Sequence, residues 1–81
     1  MYLHIGKDLI INNNDIIGIF NIDYIKNTKE YKFMYKSLED NNNIFRVADV
    51  QPKTFILVEK NKNVKGYLTN IGSTTIGKRK M

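Results

Sequence analysis

Along the first ten residues, MYLHIGKDLI, apolar and polar positions alternate, with Leu3 and Ile5 on one side and Tyr2 and His4 on the other. A period of two marks a strand with one buried face. Gly6-Lys7 then stands where a tight turn with positive φ returns the chain as a second strand. The asparagines at 12–14 make a corner before a nearly unbroken apolar run over 16–22. Its length and β-branched content predict a buried strand, with Gly18 marking a bulge or the close approach of another backbone. The period changes after residue 27. Tyr31, Met34, Tyr35 and Leu38 fall at i, i+3, i+4 and i+7, one face of an α-helix. Asn27 is placed to cap it, Glu30 completes a capping-box pattern, and Phe33 lies off the stripe, where it is free to touch a partner. The asparagines at 41–43 predict its end, because Asn tolerates the left-handed cap position.

Further along, IFRVADV predicts a short strand and PKTFILVE a clearer one, with Pro52 at the first position, where its missing N–H does least harm. KNKN turns the chain and VKGYLTNI returns as the hairpin partner. The sum is an α+β domain over residues 1–81: a small, mostly antiparallel β-sheet, one central α-helix, and room for a short C-terminal helix. Gly77 weakens that last helix, since Gly in a helix interior costs about 1 kcal/mol relative to Ala.

Size and composition narrow the picture. A chain of 81 residues buries only roughly 60% of the surface its unfolded form exposes, so its core is thin and partner subunits can complete it. It contains no cysteine, which removes disulfides and thiolate metal sites. The apolar runs are short and Lys7-Asp8 breaks the first of them, so neither a signal peptide nor a membrane span is expected. A soluble, cytoplasmic protein with no membrane partner follows as the expectation.

Charge is distributed unevenly. Residues 1–40 hold five Lys against six acids, while residues 41–81 hold eight basic groups against Asp49 and Glu59 alone. After Glu59 come Lys60, Lys62, Lys65, Lys78, Arg79 and Lys80 with no acid among them. A polyanion-binding surface produces such an asymmetry. Codon bias is the competing explanation for the lysines, given 12 Ile, 11 Asn and 11 Lys, but it does not remove acids from the last third.

Candidate chemistry is sparse. Gly72 to Lys78 spells G-x-x-x-x-G-K, yet a phosphate-binding loop needs Ser or Thr after its lysine and a long helix behind it. Arg79 follows instead, so no nucleotide hydrolysis is expected. His4 is the only histidine, Ser37 and Ser73 have no visible base, and no metal-ligand spacing occurs, which leaves no catalytic residue, metal or cofactor to name. Most of the aromatic residues are needed for the core. Tyr2 and Tyr67 are the two with a second reading, as groups that stack bases of single-stranded nucleic acid.

The stretch MYLHIGKDLIINNNDIIGIFNID resembles the opening of the small bacterial extracellular-matrix regulators of the RemA/RemB family, in the RemB or YaaB-type branch. There M-Y-hydrophobic-H-hydrophobic-G leads to a D-I-V-G-I-F-like strand. Pro52-Lys53-Thr54-Phe55 resembles the family's P-K-S-hydrophobic strand start. YLTNIGSTTIGKR resembles its Y-x-S-P-hydrophobic-S-S-x-T-L-x-K-R ending, so Gly72 to Lys78 reads as a Ser/Thr-rich cap before a basic turn. The likeness covers most of the chain at consistent spacing, with the helical middle alike only in character. It implies a sequence-tolerant DNA-binding regulator of biofilm or matrix genes, because the RemA branch activates such transcription by binding DNA and forms ring-like oligomers with DNA wrapped around them.

The chain departs from that pattern at particular positions. Asp15 stands where RemA-type members place an arginine, and Val50 and Gln51 correspond roughly to their arginine pair. Asn70 replaces a usual proline, and Gly77 a common lysine. A basic surface here would therefore be shifted, onto Lys53, Lys65, Lys78, Arg79 and Lys80, with Arg46. Such lysine-dominated contacts neutralise phosphates without reading bases, and two arginines supply little guanine readout. The expected partners are double-stranded DNA and further copies of the chain in an oligomer, with a ring allowed, and no small-molecule substrate. Residues 16–22 or an exposed edge strand would form the seam. The alternative from another class is a protein-assembly module of the same fold with no specific nucleic-acid role.

Overall fold

The computed structural model describes residues 2–80. Strands β1 (Tyr2–Gly6) and β2 (Leu9–Asn12) form an antiparallel hairpin in which Leu3 faces Ile11 across the ladder. The turn is built where the alternation breaks, with Gly6 at φ 134° and Lys7 at φ 48°. Leu3, Ile5 and Ile11 are buried while Tyr2, His4 and Ile10 are exposed, as the period-two pattern predicts. A turn of 3-10 helix over Asn13–Asp15 leads into β3 (Ile16–Asn21).

This third element differs from its expectation. The apolar run predicts a buried strand, whereas β3 lies at the edge of a four-stranded sheet and Ile17 is 56% exposed. Its ladder with β5 (Thr54–Lys60) slips between Ile16 and Gly18, the bulge that Gly18 suggests. The run also ends one residue early. Ile22 opens a short helix, α1 (Ile22–Ile25), because the Asn21 side chain accepts the Asp23 N–H at 2.9 Å and so caps a helical turn.

Helix α2 (Lys29–Asp40) carries the expected stripe: Leu38 is buried, with Tyr31, Met34 and Tyr35 packed around it. Its cap is Thr28 and not Asn27. The Thr28 hydroxyl accepts the Tyr31 N–H at 3.2 Å and donates to the Ile25 carbonyl at 2.7 Å, joining the ends of two helices. Asn42, at φ 58°, takes the left-handed position that closes α2.

The remaining strands are β4 (Ile44–Arg46) and β6 (Asn63–Thr69), in the sheet order β3-β5-β6-β4. The β5–β6 hairpin is antiparallel and turns at Asn61 and Lys62, both at positive φ. Pro52 precedes β5, which begins at Thr54. The β4–β6 pair is parallel, the one parallel ladder among the described residues. Helix α3 (Ser73–Lys80) follows. The fold is thus α+β, mostly antiparallel.

The core has two halves, one on each face of the larger sheet. Leu3, Ile5, Ile11, Ile56, Val58 and Ile76 fill the side covered by the β1–β2 hairpin and α3. Ile22, Leu38, Phe55 and Leu68 fill the side covered by α1 and α2. Two buried threonines join the layers. Thr69 donates to the Ile5 carbonyl at 2.6 Å, and Thr54 donates to the Ile71 carbonyl at 2.7 Å. Among the described residues no helix is long and apolar enough to cross a membrane.

Candidate nucleic-acid interface

Helix α3 presents the basic tail. Ile76 is fully buried among β1 and sheet residues, so one side of the helix is fixed to the core. That leaves Lys78 and Arg79 exposed, and the Arg79 guanidinium donates to the His4 carbonyl at 3.1 Å. The side chain of Lys80 lies outside the described residues. Gly72 precedes the helix, and the Ile76 N–H bonds back to its carbonyl at 3.0 Å. The G-x-x-x-x-G-K letters therefore form helical backbone from Ser73 onward instead of a loop that cradles phosphate.

The Ile76 anchor offsets the weakening by Gly77. A Cβ at Gly77 meets nothing within 4 Å and the residue is not at positive φ. Gly77→Ala should accordingly stabilise the protein by about 0.5–1 kcal/mol. Thermal melting followed by circular dichroism is expected to show a midpoint raised by several degrees, about 4–8 °C per kcal/mol in a chain of this size.

The other candidate residues are spread over the molecule. Lys53 is exposed just before β5, where its N–H donates to the Thr69 carbonyl at 2.9 Å and its carbonyl accepts the Ile22 N–H at 3.0 Å. Arg46 lines a shallow hollow beside α2, with Tyr31, Tyr35 and Pro52. Lys65 lies on the opposite face of the sheet, its ammonium 5.8 Å from the centre of the Phe45 ring. Phe45 in turn stacks on Tyr67 at 5.4 Å and 27°. Burial pushes the Tyr67 hydroxyl above its usual pKa. The structure thus brings Lys78 and Arg79 together on one helix, but separates Arg46 from Lys65.

Sequence reasoning passes over one grouping. Lys65 and Tyr67 share a hollow with Tyr2, Asn12, Asp15 and Lys60, contributed by the hairpin, the 3-10 turn and both strands of the β5–β6 pair. The i, i+2 spacing of Lys65 and Tyr67 is the only local signal of it. Asp15, which stands where the resembled family has arginine, lines this same hollow. Among the described residues no group of three or more His, Cys, Asp or Glu is placed to hold a metal. In comparisons with known families and curated proteins, no family model and no curated protein matches the chain.

Proposed function

We propose that the chain is a non-enzymatic, cytoplasmic, oligomeric regulator that binds duplex DNA phosphates through its basic last third and controls extracellular-matrix genes. One observation carries the DNA-binding part: the stretch after Glu59 has no acid, and its tail projects Lys78 and Arg79 into solvent from a helix pinned by Ile76. The matrix-gene part rests on the resemblance to the RemA/RemB regulators. A single copy holds few cations on α3, so affinity depends on repetition around an assembly, where linked sites reinforce one another.

The seam in this reading is β3. It ends the sheet, no further strand pairs with its outer edge among the described residues, and Ile17 is exposed there. An unpaired apolar edge is a template for another chain. Ile17→Lys is expected to lower the mass in multi-angle light scattering to that of a monomer, with circular dichroism unchanged. An unaltered oligomer mass would move the seam elsewhere.

The deciding experiment is a fluorescence-anisotropy titration of duplex DNA at several salt concentrations, on protein of known mass. A steep fall of log K with log[salt], about 0.9 per neutralised phosphate, supports the regulator reading. A stable oligomer that ignores DNA at moderate salt supports the assembly module. That second reading is favoured by Tyr24 and Phe33, which are 84% and 80% exposed on the helical side, away from the basic tail.

A further inference from the structure

An open hollow of about 440 Å³ lies where the β1–β2 hairpin meets β5 and β6. This is within the range of small-ligand sites, roughly 300–1,000 Å³. Three features of its lining converge. The first is charge. Lys60 and Lys65 face it, Asp15 is its only acid among the described residues, and the ion pairs of those residues (Lys7–Asp49, Lys26–Asp23, Lys36–Asp40) engage neither lysine, although the Lys65 ammonium also lies over the Phe45 ring. The hollow is left net positive. The second is aromatic surface. Tyr2 is 67% exposed, and Tyr67 is braced from behind by the stacked Phe45. The third is a pair of oriented amides. The Asn12 side-chain oxygen accepts the Asn14 N–H at 2.9 Å, and the Asn63 oxygen accepts from the Asn43 amide at 3.4 Å. Each bond uses the oxygen and leaves an NH₂ group to donate.

Lysines outside any of these ion pairs, one exposed and one half-buried tyrosine ring, and amides whose oxygens are engaged answer the parts of one kind of ligand. We propose that this hollow binds a nucleotide, with the base against Tyr2 and Tyr67, the phosphate against Lys60 and Lys65, and the Asn12 and Asn63 amides donating to acceptors on the base edge. Aromatic side chains hold bases by stacking that tolerates any base, and lysines hold phosphate as point charges. A base paired inside a duplex keeps both faces stacked and offers no ring to Tyr2. The occupant is therefore a free mononucleotide or an unpaired nucleotide of a single strand. This site goes beyond the duplex-binding reading, and its two lysines belong to the same basic last third. Its parts come from residues 2–67 across several elements, which is why a linear reading expects no small-molecule site.

Isothermal titration calorimetry on the full chain tests it, using AMP and GMP, their halves adenosine and ribose 5-phosphate, and a short oligothymidylate. AMP or GMP is expected to saturate at one per chain, with each half at least about tenfold weaker. Tyr2→Ala should weaken nucleotide binding about tenfold, as loss of one stacked base does, and Lys60→Glu combined with Lys65→Glu should abolish it. Both variants change surface side chains, and circular dichroism confirms their folding. Binding of oligothymidylate alone assigns the site to an unpaired strand; binding of mononucleotides alone assigns it to a free ligand. No heat with any probe overturns the proposal, as does ribose 5-phosphate binding as tightly as AMP, or full affinity in the double lysine variant. Tyr2→Ala lies outside the duplex surface and should keep its duplex affinity, so failure of either reading is visible without the other.

Discussion

Lys78, Arg79 and Lys80 changed together to Glu are expected to abolish retention of duplex DNA at moderate salt while leaving the helical circular dichroism intact. Helix α3 is held by Ile76, whose side chain is fully buried and is retained in the triple variant. Lys78 and Arg79 are exposed, so the new carboxylates stay solvated, and their opposition to the dipole at the end of α3 costs about 0.3–1 kcal/mol each. The bond from Arg79 to the His4 carbonyl is lost, a contribution of about 1 kcal/mol at an exposed site. Binding responds far more strongly. Three phosphate contacts at about 0.9 each remove about 2.7 from the slope of log K against log[salt], and the reversed charges add repulsion. Wild-type and variant titrations between 50 and 200 mM salt, on the scale of about 10³-fold or more for multi-contact binders, separate the outcomes cleanly. Unchanged affinity and slope in the folded variant would take the tail out of the DNA site.

The largest loss of stability is expected from Phe55→Ala. Phe55 is fully buried near the start of β5, edge-on to Tyr31 at 5.4 Å and 86°, with Phe20 at 6.4 Å. Across the ladder a Cβ on Gly66 would stand 2.6 Å from its Cε1, so the ring fills space that only glycine leaves open. Truncating such a ring costs about 3–5 kcal/mol. Small domains have about 5–15 kcal/mol in total, and one with a core split across two faces of a thin sheet sits toward the lower end. Urea unfolding monitored by circular dichroism should therefore show a variant that is largely unfolded or has lost most of its midpoint. A loss below about 1 kcal/mol would mean that α2 contributes little to holding the sheet.

Much of this architecture is legible in the residues. The hairpin alternation of Leu3 and Ile5, the helical stripe from Tyr31 to Leu38, and the turn at Asn61-Lys62 are local patterns, and each appears where its period places it. What escapes is decided by contacts beyond that window. Whether Asn27 or Thr28 caps α2 depends on where Ile25 ends the preceding helix, since Thr28 bonds to both. The parallel pairing of β4 cannot be read from Ile44–Arg46, which offers three positions and no turn to its partner. The strand over 16–22 looks buried because its residues are apolar, yet sheet order and not composition makes it an edge. The same holds for the candidate sites. Lys78 and Arg79 are neighbours in sequence and remain neighbours in space. The nearness of Tyr2 and Asn12 to Lys60 and Tyr67 exists only once the hairpin folds over the sheet.

The burial of Ile5 beneath Ile76, with the Thr69 hydroxyl bonded to the Ile5 carbonyl, has a consequence for synthesis. During translation the first hairpin leaves the ribosome long before the segment that covers it. Until residue 76 has emerged, Leu3 and Ile5 have no lid, and the hairpin waits as an apolar, unpaired ribbon available to chaperones or to neighbouring nascent chains. Long-range closure of this kind slows folding, so compaction on this side of the sheet waits for the synthesis of residue 76.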